Sequence, residues 1–218
     1  VTIEETIGKI HEIGIVPVVR ASNLDEARRA VDAICTGGIS IIEITMTVPD
    51  APAMIQELVR HYGNSVLTGA GTVTTAKQAE ICLDAGAQFL VSPGLSVPVL
   101  QTAASRRVLA IPGALTPTEV MGALEAGAKI IKIFPCGSAG GSKHIKALKA
   151  PFPHTRLIPT GGVNLTNAAE YFAAGAFALG VGADLVDLAA LRRNEPSKII
   201  DMARTLIDTV RLARAAKS

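Results

Sequence analysis

The chain has 218 residues, about half of them apolar, no Trp, and a formal net charge of +2. The small, balanced charge and the lack of a basic stripe interleaved with aromatics argue against nucleic acid as a partner. No leader pattern and no bilayer-length apolar run are present, and Cys35, Cys82 and Cys136 are scattered with no metal-ligand spacing, so a cytoplasmic protein with free thiols and no membrane partner is expected.

Taken in order, the patterning predicts a helix over residues 3–13, closed by Gly14, and a strand over 15–20 that ends on Arg20. Asn23 reads as the N-cap of a helix through residue 33, with Glu26 placed for a capping box. A strand over 39–44 carries Glu43 late in an apolar run, and a helix follows over 51–62. The strand over 66–70 leads into Gly71-Thr72, then a helix over 76–85. The next strand, 89–92, is stopped by Pro93-Gly94, with a helix over 97–105 behind it. A strand over 108–111 precedes Pro112-Gly113, and Pro117 opens a helix to residue 126.

Lys129-Ile130-Ile131-Lys132-Ile133-Phe134-Pro135 is the next strand, apolar and β-branched apart from its lysines. A Gly-rich loop, a short helix over 144–148 and a strand over 156–159 run into Thr160-Gly161-Gly162. A helix over 165–173, a strand over 177–179, the turn Gly180-Val181-Gly182 and a last amphipathic helix over 196–213 complete the chain. Three times a helix ends on an Ala-Gly-Ala phrase, at 85–87, 126–128 and 174–176, and a buried strand begins.

Eight strand-like runs alternating with helices point to an α/β protein with a parallel sheet. There is no G-x-G-x-x-G after the first strand, and eight is the barrel number, so the expected architecture is a single-domain (β/α)8 TIM barrel with an N-terminal helix, spanning residues 1–218.

In a barrel the chemistry collects at the C-terminal ends of the strands. There the sequence sets Arg20, Glu43, Thr72, Pro93, Lys132, Thr160, Gly161, Gly162, Gly182 and Ala183. A lysine in an apolar strand end either snorkels to solvent or pairs with a carboxylate, or its burial favours the free amine that a Schiff-base nucleophile needs. Three charges converging on one end of the sheet favour chemistry over packing, although a Lys132–Glu43 pair kept for stability is the alternative. In the chemical reading Lys132 attacks a ketone, Glu43 moves protons and Arg20 meets a substrate carboxylate or phosphate. Thr72 adds a neutral donor, and the glycine turns with a helix N-terminus behind them hold a phosphate.

Several phrases carry a family resemblance: Val18-Val19-Arg20, Glu43-Ile44-Thr45, Gly69-Ala70-Gly71-Thr72-Val73, Val91-Ser92-Pro93-Gly94, Lys132-Ile133-Phe134-Pro135 and Pro159-Thr160-Gly161-Gly162-Val163. Through them the chain resembles the 2-keto-3-deoxy-6-phosphogluconate (KDPG) and 4-hydroxy-2-oxoglutarate (KHG) aldolases, the class I pyruvate aldolases. The resemblance implies Lys132 as the Schiff-base lysine and Glu43 as the acid/base. It also implies substrate contacts from Arg20, Thr72, Pro93, Phe134 and Thr160, and phosphate contacts from Gly161, Gly162, Gly182 and Ala183. It further implies a homotrimer acting on a small 2-keto acid with no metal or other cofactor. Two positions depart from the family pattern: Thr47 where many members carry Arg, and Ala183 where many carry Ser. Thr160 fits the gluconate-type enzymes better than the galactonate-type. Cys136 reads as a small, neutral wall residue.

The competing readings are the same chemistry on the galactonate isomer or on 4-hydroxy-2-oxoglutarate, metal-dependent aldol cleavage, and a barrel that only binds a phosphorylated ligand.

Overall fold

A computed structural model describes residues 1–216; the last two positions of the expected domain lie outside the described residues. The fold is α/β, organised on a curled sheet in which every strand pair is parallel. Helix α1 (Ile3–Ile13) opens the chain, held by a capping box between Thr2 and Glu5. Strand β1 (Ile15–Val19), helix α2 (Leu24–Thr36), β2 (Ile41–Thr45), α3 (Ala51–Tyr62), β3 (Leu67–Gly71), α4 (Ala76–Asp84), β4 (Phe89–Val91), α5 (Val97–Ser105) and β5 (Leu109–Ile111) follow in strict alternation. Then come β6 (Gly113–Ala114), α6 (Pro117–Glu125), β7 (Ile131–Ile133), a short 3-10 turn, α7 (Gly141–Lys149), β8 (Leu157–Pro159), α8 (Ala168–Ala173), β9 (Leu179–Val181), α9 (Leu188–Arg192) and α10 (Ser197–Ala215). Among the described residues no helix is long and apolar enough to cross a membrane.

Six strands line up in the order β5-β4-β3-β2-β1-β9, and β6-β7-β8 form a second segment. A bridge from Thr160 to Gly180 joins the β8 side to β9. The expected strand over 108–111 and the Pro112-Gly113 after it become two pieces, because Pro112 has no N–H to give the ladder. Its carbonyl still accepts from the Lys132 N–H at 2.9 Å. The last strand lies two residues later than expected, since Val16 and Pro17 take Gly180 and Val181 as partners.

Asn23 caps α2 as expected, accepting from the Glu26 N–H at 2.9 Å. The capping box does not form there: the Glu26 carboxylate reaches past Asn23 to the Ser22 N–H at 2.7 Å.

Strand alternation sorts the core into two layers. Ile42, Ile44, Ile131 and Ile133 face the helices. Val16, Ile41, Leu67, Phe89, Ile111, Ile130 and Ile158 face inward, with Ile7 and Ile10 of α1 packed against them. Two residues further along the same inner face come Val18, Glu43 and Lys132, so the apolar layer is the floor on which the charged pair stands.

Candidate active site

Lys132 sits in the middle of β7, in register with Gly113 on one side and Ile158 on the other. It is 6% exposed and Glu43 is 3% exposed. Their nearest charged atoms, Nζ and Oε1, are 4.0 Å apart. That is longer than a hydrogen bond, and among the described residues no protein group donates to Glu43 Oε1. A buried carboxylate oxygen without a donor is costly to keep unless function uses it. The Lys132 ammonium position also lies 5.2 Å from the centre of the Phe134 ring.

Gly71, at the end of β3, makes room for this arrangement. A Cβ there would overlap the Glu43 carboxylate, so only glycine lets the glutamate lie across β3. Thr72 follows with φ of 60°, a left-handed conformation that a β-branched residue adopts only under constraint from its neighbours.

Beside the pair opens a cleft of about 210 Å³, lined by Arg20, Phe134, Thr160, Gly161, Gly162 and Ala183, together with Val18, Val163, Gly182 and Asp184. Val18 links the two parts, because it lines the cleft and pairs in register with Glu43. Gly161 and Gly162 have φ of 87° and 74°, which tips successive N–H groups toward one side in a way few other residues tolerate. Asn167 holds that turn, donating from Nδ2 to the Gly162 carbonyl at 2.8 Å. The N–H groups of Gly162 and Ala183 donate to no acceptor among the described residues, whereas the Gly161 N–H faces Gly180 across the bridge to β9. The Thr160 hydroxyl donates to the Ile158 carbonyl at 3.3 Å.

The structure thus gathers nine of the eleven sequence-chosen positions around the cleft or, for Lys132 and Glu43, beside it. Thr72 and Pro93 are not among the cleft-lining residues; they sit past the ends of β3 and β4, and Pro93 packs its carbonyl against Gly113, the register partner of Lys132. The helix N-terminus expected behind Gly162 is displaced. An Asn164 turn intervenes, its Oδ1 accepting from the Thr166 and Asn167 N–H groups, so α8 begins only at Ala168. Cys136 does not line the cleft. It is fully buried in the outer core, where burial pushes its thiol up to about 11 against a smaller pull from Tyr171, so it is neutral.

Two residues were missed. Val18 was available from simple alternation with Arg20. Gly71 was signalled by two glycines at alternate positions in one strand. Asp184 lines the cleft and does not cap the helix after it; Asp187 does, accepting from the Ala190 N–H at 2.9 Å. Thr47 holds its hydroxyl 2.7 Å from that of Thr45.

A family profile described as "Aldolase: KDPG and KHG aldolase" matches residues 6–202. The chain belongs to the KDPG and KHG aldolase family. As an aldolase it is a carbon–carbon lyase. The 2-dehydro-3-deoxy-phosphogluconate aldolase of Treponema pallidum is 38% identical over 173 residues, covering 79% of this chain and 80% of its own. The 2-dehydro-3-deoxy-6-phosphogalactonate aldolase of Escherichia coli is 36% identical over 175 residues, covering 80% and 85%. Among solved structures, the KDPG aldolase of Legionella pneumophila, with pyruvate captured as a covalent carbinolamine intermediate, superposes with a TM-score of 0.85 at 30% identity, covering 92% of this chain and 97% of that one. The family's aldolases of both sugar types are thus similar to this chain at nearly equal identity. Among the described residues no three His, Cys, Asp or Glu side chains are grouped to hold a metal ion.

Proposed function

We propose that the protein is a class I aldolase that cleaves 2-dehydro-3-deoxy-6-phosphogluconate to pyruvate and glyceraldehyde 3-phosphate. The observation that carries this reading is the buried Lys132–Glu43 pair, unbonded at 4.0 Å, beside a cleft lined by Arg20 and paired glycines.

The Lys132 amine adds to the C2 ketone, and loss of water from the carbinolamine gives an iminium. Removal of the C4 hydroxyl proton breaks the C3–C4 bond, with its electron pair drawn into the iminium to form an enamine, and the aldehyde leaves. Glu43 shuttles the protons: it returns one to C3, and hydrolysis of the resulting imine releases pyruvate and the free amine. Arg20 and the amides of Gly162 and Ala183 receive the phosphate, Gly161 and Gly182 shape the two turns, and Thr72, Pro93, Phe134 and Thr160 shape the keto-acid end.

Product analysis with the purified protein on the gluconate, galactonate and 4-hydroxy-2-oxoglutarate substrates tests the reading. Pyruvate should appear fastest from the phosphogluconate compound, with or without a chelator. A second reading is the same chemistry on the unphosphorylated 4-hydroxy-2-oxoglutarate: Asp184 borders the cleft, and a carboxylate turned into it would repel a phosphate.

Three further features belong to the same proposal. The two sheet segments are read as one closed (β/α)8 barrel forming a single domain, supported by the Thr160–Gly180 bridge and by Pro112 alone separating β5 from β6. A homotrimer is supported by exposed apolar side chains where Leu95 approaches α6 beside Met121. A cytoplasmic setting is supported by three free cysteines.

A further inference from the structure

We infer that Glu26 is a positioning residue for the anion half of the cleft, clamping the loop of Arg20 to the segment that follows the Gly182-Ala183-Asp184 turn. The inference rests on the aldolase reading above.

Glu26 lies on the first turn of α2 and is 6% exposed, so its charge needs partners. Oε2 accepts from the Ser22 N–H and from the Ser22 hydroxyl, both at 2.7 Å. Oε1 accepts from Arg192 Nε at 2.6 Å. Arg192 also donates to the Ser22 hydroxyl at 3.3 Å, which closes the network. One turn along α2, Arg29 donates to the Leu191 carbonyl at 2.7 Å and to Asn194 Oδ1 at 3.3 Å. Helix α2 is therefore fastened to α9 at two points.

Both ends of this fastening are tied closely to the cleft. Ser22 stands two residues after Arg20. On the other side, Leu185 and Val186 donate their N–H groups to the Gly182 carbonyl at 3.0 and 2.9 Å, and Asp187 caps α9, so little slack separates the turn from Arg192. Strands β1 and β9, which deliver the two loops, are sheet neighbours. Arg20 Nη1 lies 3.9 Å from where a Cβ on Gly182 would stand. The clamp thus sets how closely the guanidinium and the turn amides approach one another.

Stability alone does not account for the network: Glu26 is buried and contributes to stability, but the Arg192 side chain is 59% exposed and adds little of its own, while the bonds it makes join the two loops that line the cleft. The clamp also touches nothing at the Lys132 end, so it should act on the substrate's phosphate and leave the keto-acid chemistry alone.

The test compares Glu26→Gln, Arg192→Gln and the double variant in the full chain. Steady-state kinetics are taken on the phosphogluconate substrate and on 2-keto-3-deoxygluconate, which lacks the phosphate. Each single variant should raise KM for the phosphorylated substrate about fivefold, with kcat within about twofold and the unphosphorylated KM unchanged. The double variant should be no worse than the weaker single, as for one shared network. Borohydride trapping of pyruvate on Lys132 should stay at the wild-type level. Equal shifts on both substrates, additive effects, or an unchanged KM would overturn the clamp. Should Glu26→Gln fail to fold, the exposed Arg192→Gln carries the comparison alone. A wild-type protein that traps no pyruvate overturns the aldolase reading, and this inference with it.

Discussion

Lys132 and Glu43 face one another from β7 and β2, both buried, with Nζ and Oε1 4.0 Å apart and unbonded. A pair maintained for stability would close to about 2.8 Å and use its full hydrogen-bonding capacity. This one leaves an acceptor oxygen unused, which suits a group that passes protons.

Replacement of Glu43 by Gln should therefore separate the two roles. Turnover should fall on the order of 10²–10⁴-fold for a lost acid/base, while the melting temperature stays within a few degrees. Thermal unfolding and kcat measured on the same preparation check it. A protein that melts early, but whose folded fraction turns over normally, would assign Glu43 a structural role.

Gly71 offers an independent handle on the same geometry. A methyl group there would overlap the Glu43 carboxylate and push it aside. Gly71→Ala should lower kcat on the order of 10²-fold, at an overpacking cost of about 1–3 kcal/mol. Kinetics and denaturant unfolding read the two effects separately; unchanged turnover would mean that Glu43 acts from another position.

Much of this site is legible in the sequence because the signals are local. Charges inside apolar β-branched runs mark Lys132 and Glu43, and Asn23 as a cap and Pro117 in a first turn mark helix starts. What escaped depends on residues far apart in the chain. Glu26 has the right offset for a capping box, yet it is drawn to Ser22 and to Arg192, 166 residues away. The need for glycine at position 71 appears only when Glu43 from the neighbouring strand is packed over it. The left-handed Thr72 is likewise set by its surroundings, against the preference of a β-branched residue.

The anion half of the cleft carries its own test. Asp184 lines it, and Ala183 brings no hydroxyl to it. Asp184→Asn removes a like charge, and Ala183→Ser adds a donor of about 1.5–3 kcal/mol to a charged partner. Each should lower KM for the phosphorylated substrate, with a smaller effect on the unphosphorylated analogue. Equal effects on both substrates, or faster native turnover of 4-hydroxy-2-oxoglutarate, would count against a phosphate site.

Acid stability follows from Glu26. Burial pushes its carboxyl up, but the hydrogen bonds from Arg192 and Ser22 outweigh burial and leave it below the ordinary value of 4.5. Its contribution to stability is therefore fully present above that value and is lost as pH falls through the folded-state pKa. Melting temperatures from about pH 6 to about pH 3 should converge between the native protein and Glu26→Gln at the acid end. A constant gap across the range would contradict the shift.

The most direct measurement of the central claim is borohydride reduction in the presence of pyruvate, followed by peptide mass analysis. The account predicts one reduced pyruvyl adduct, on the peptide carrying Lys132, and its loss in Lys132→Met. An adduct on another lysine, or none at all, would contradict it.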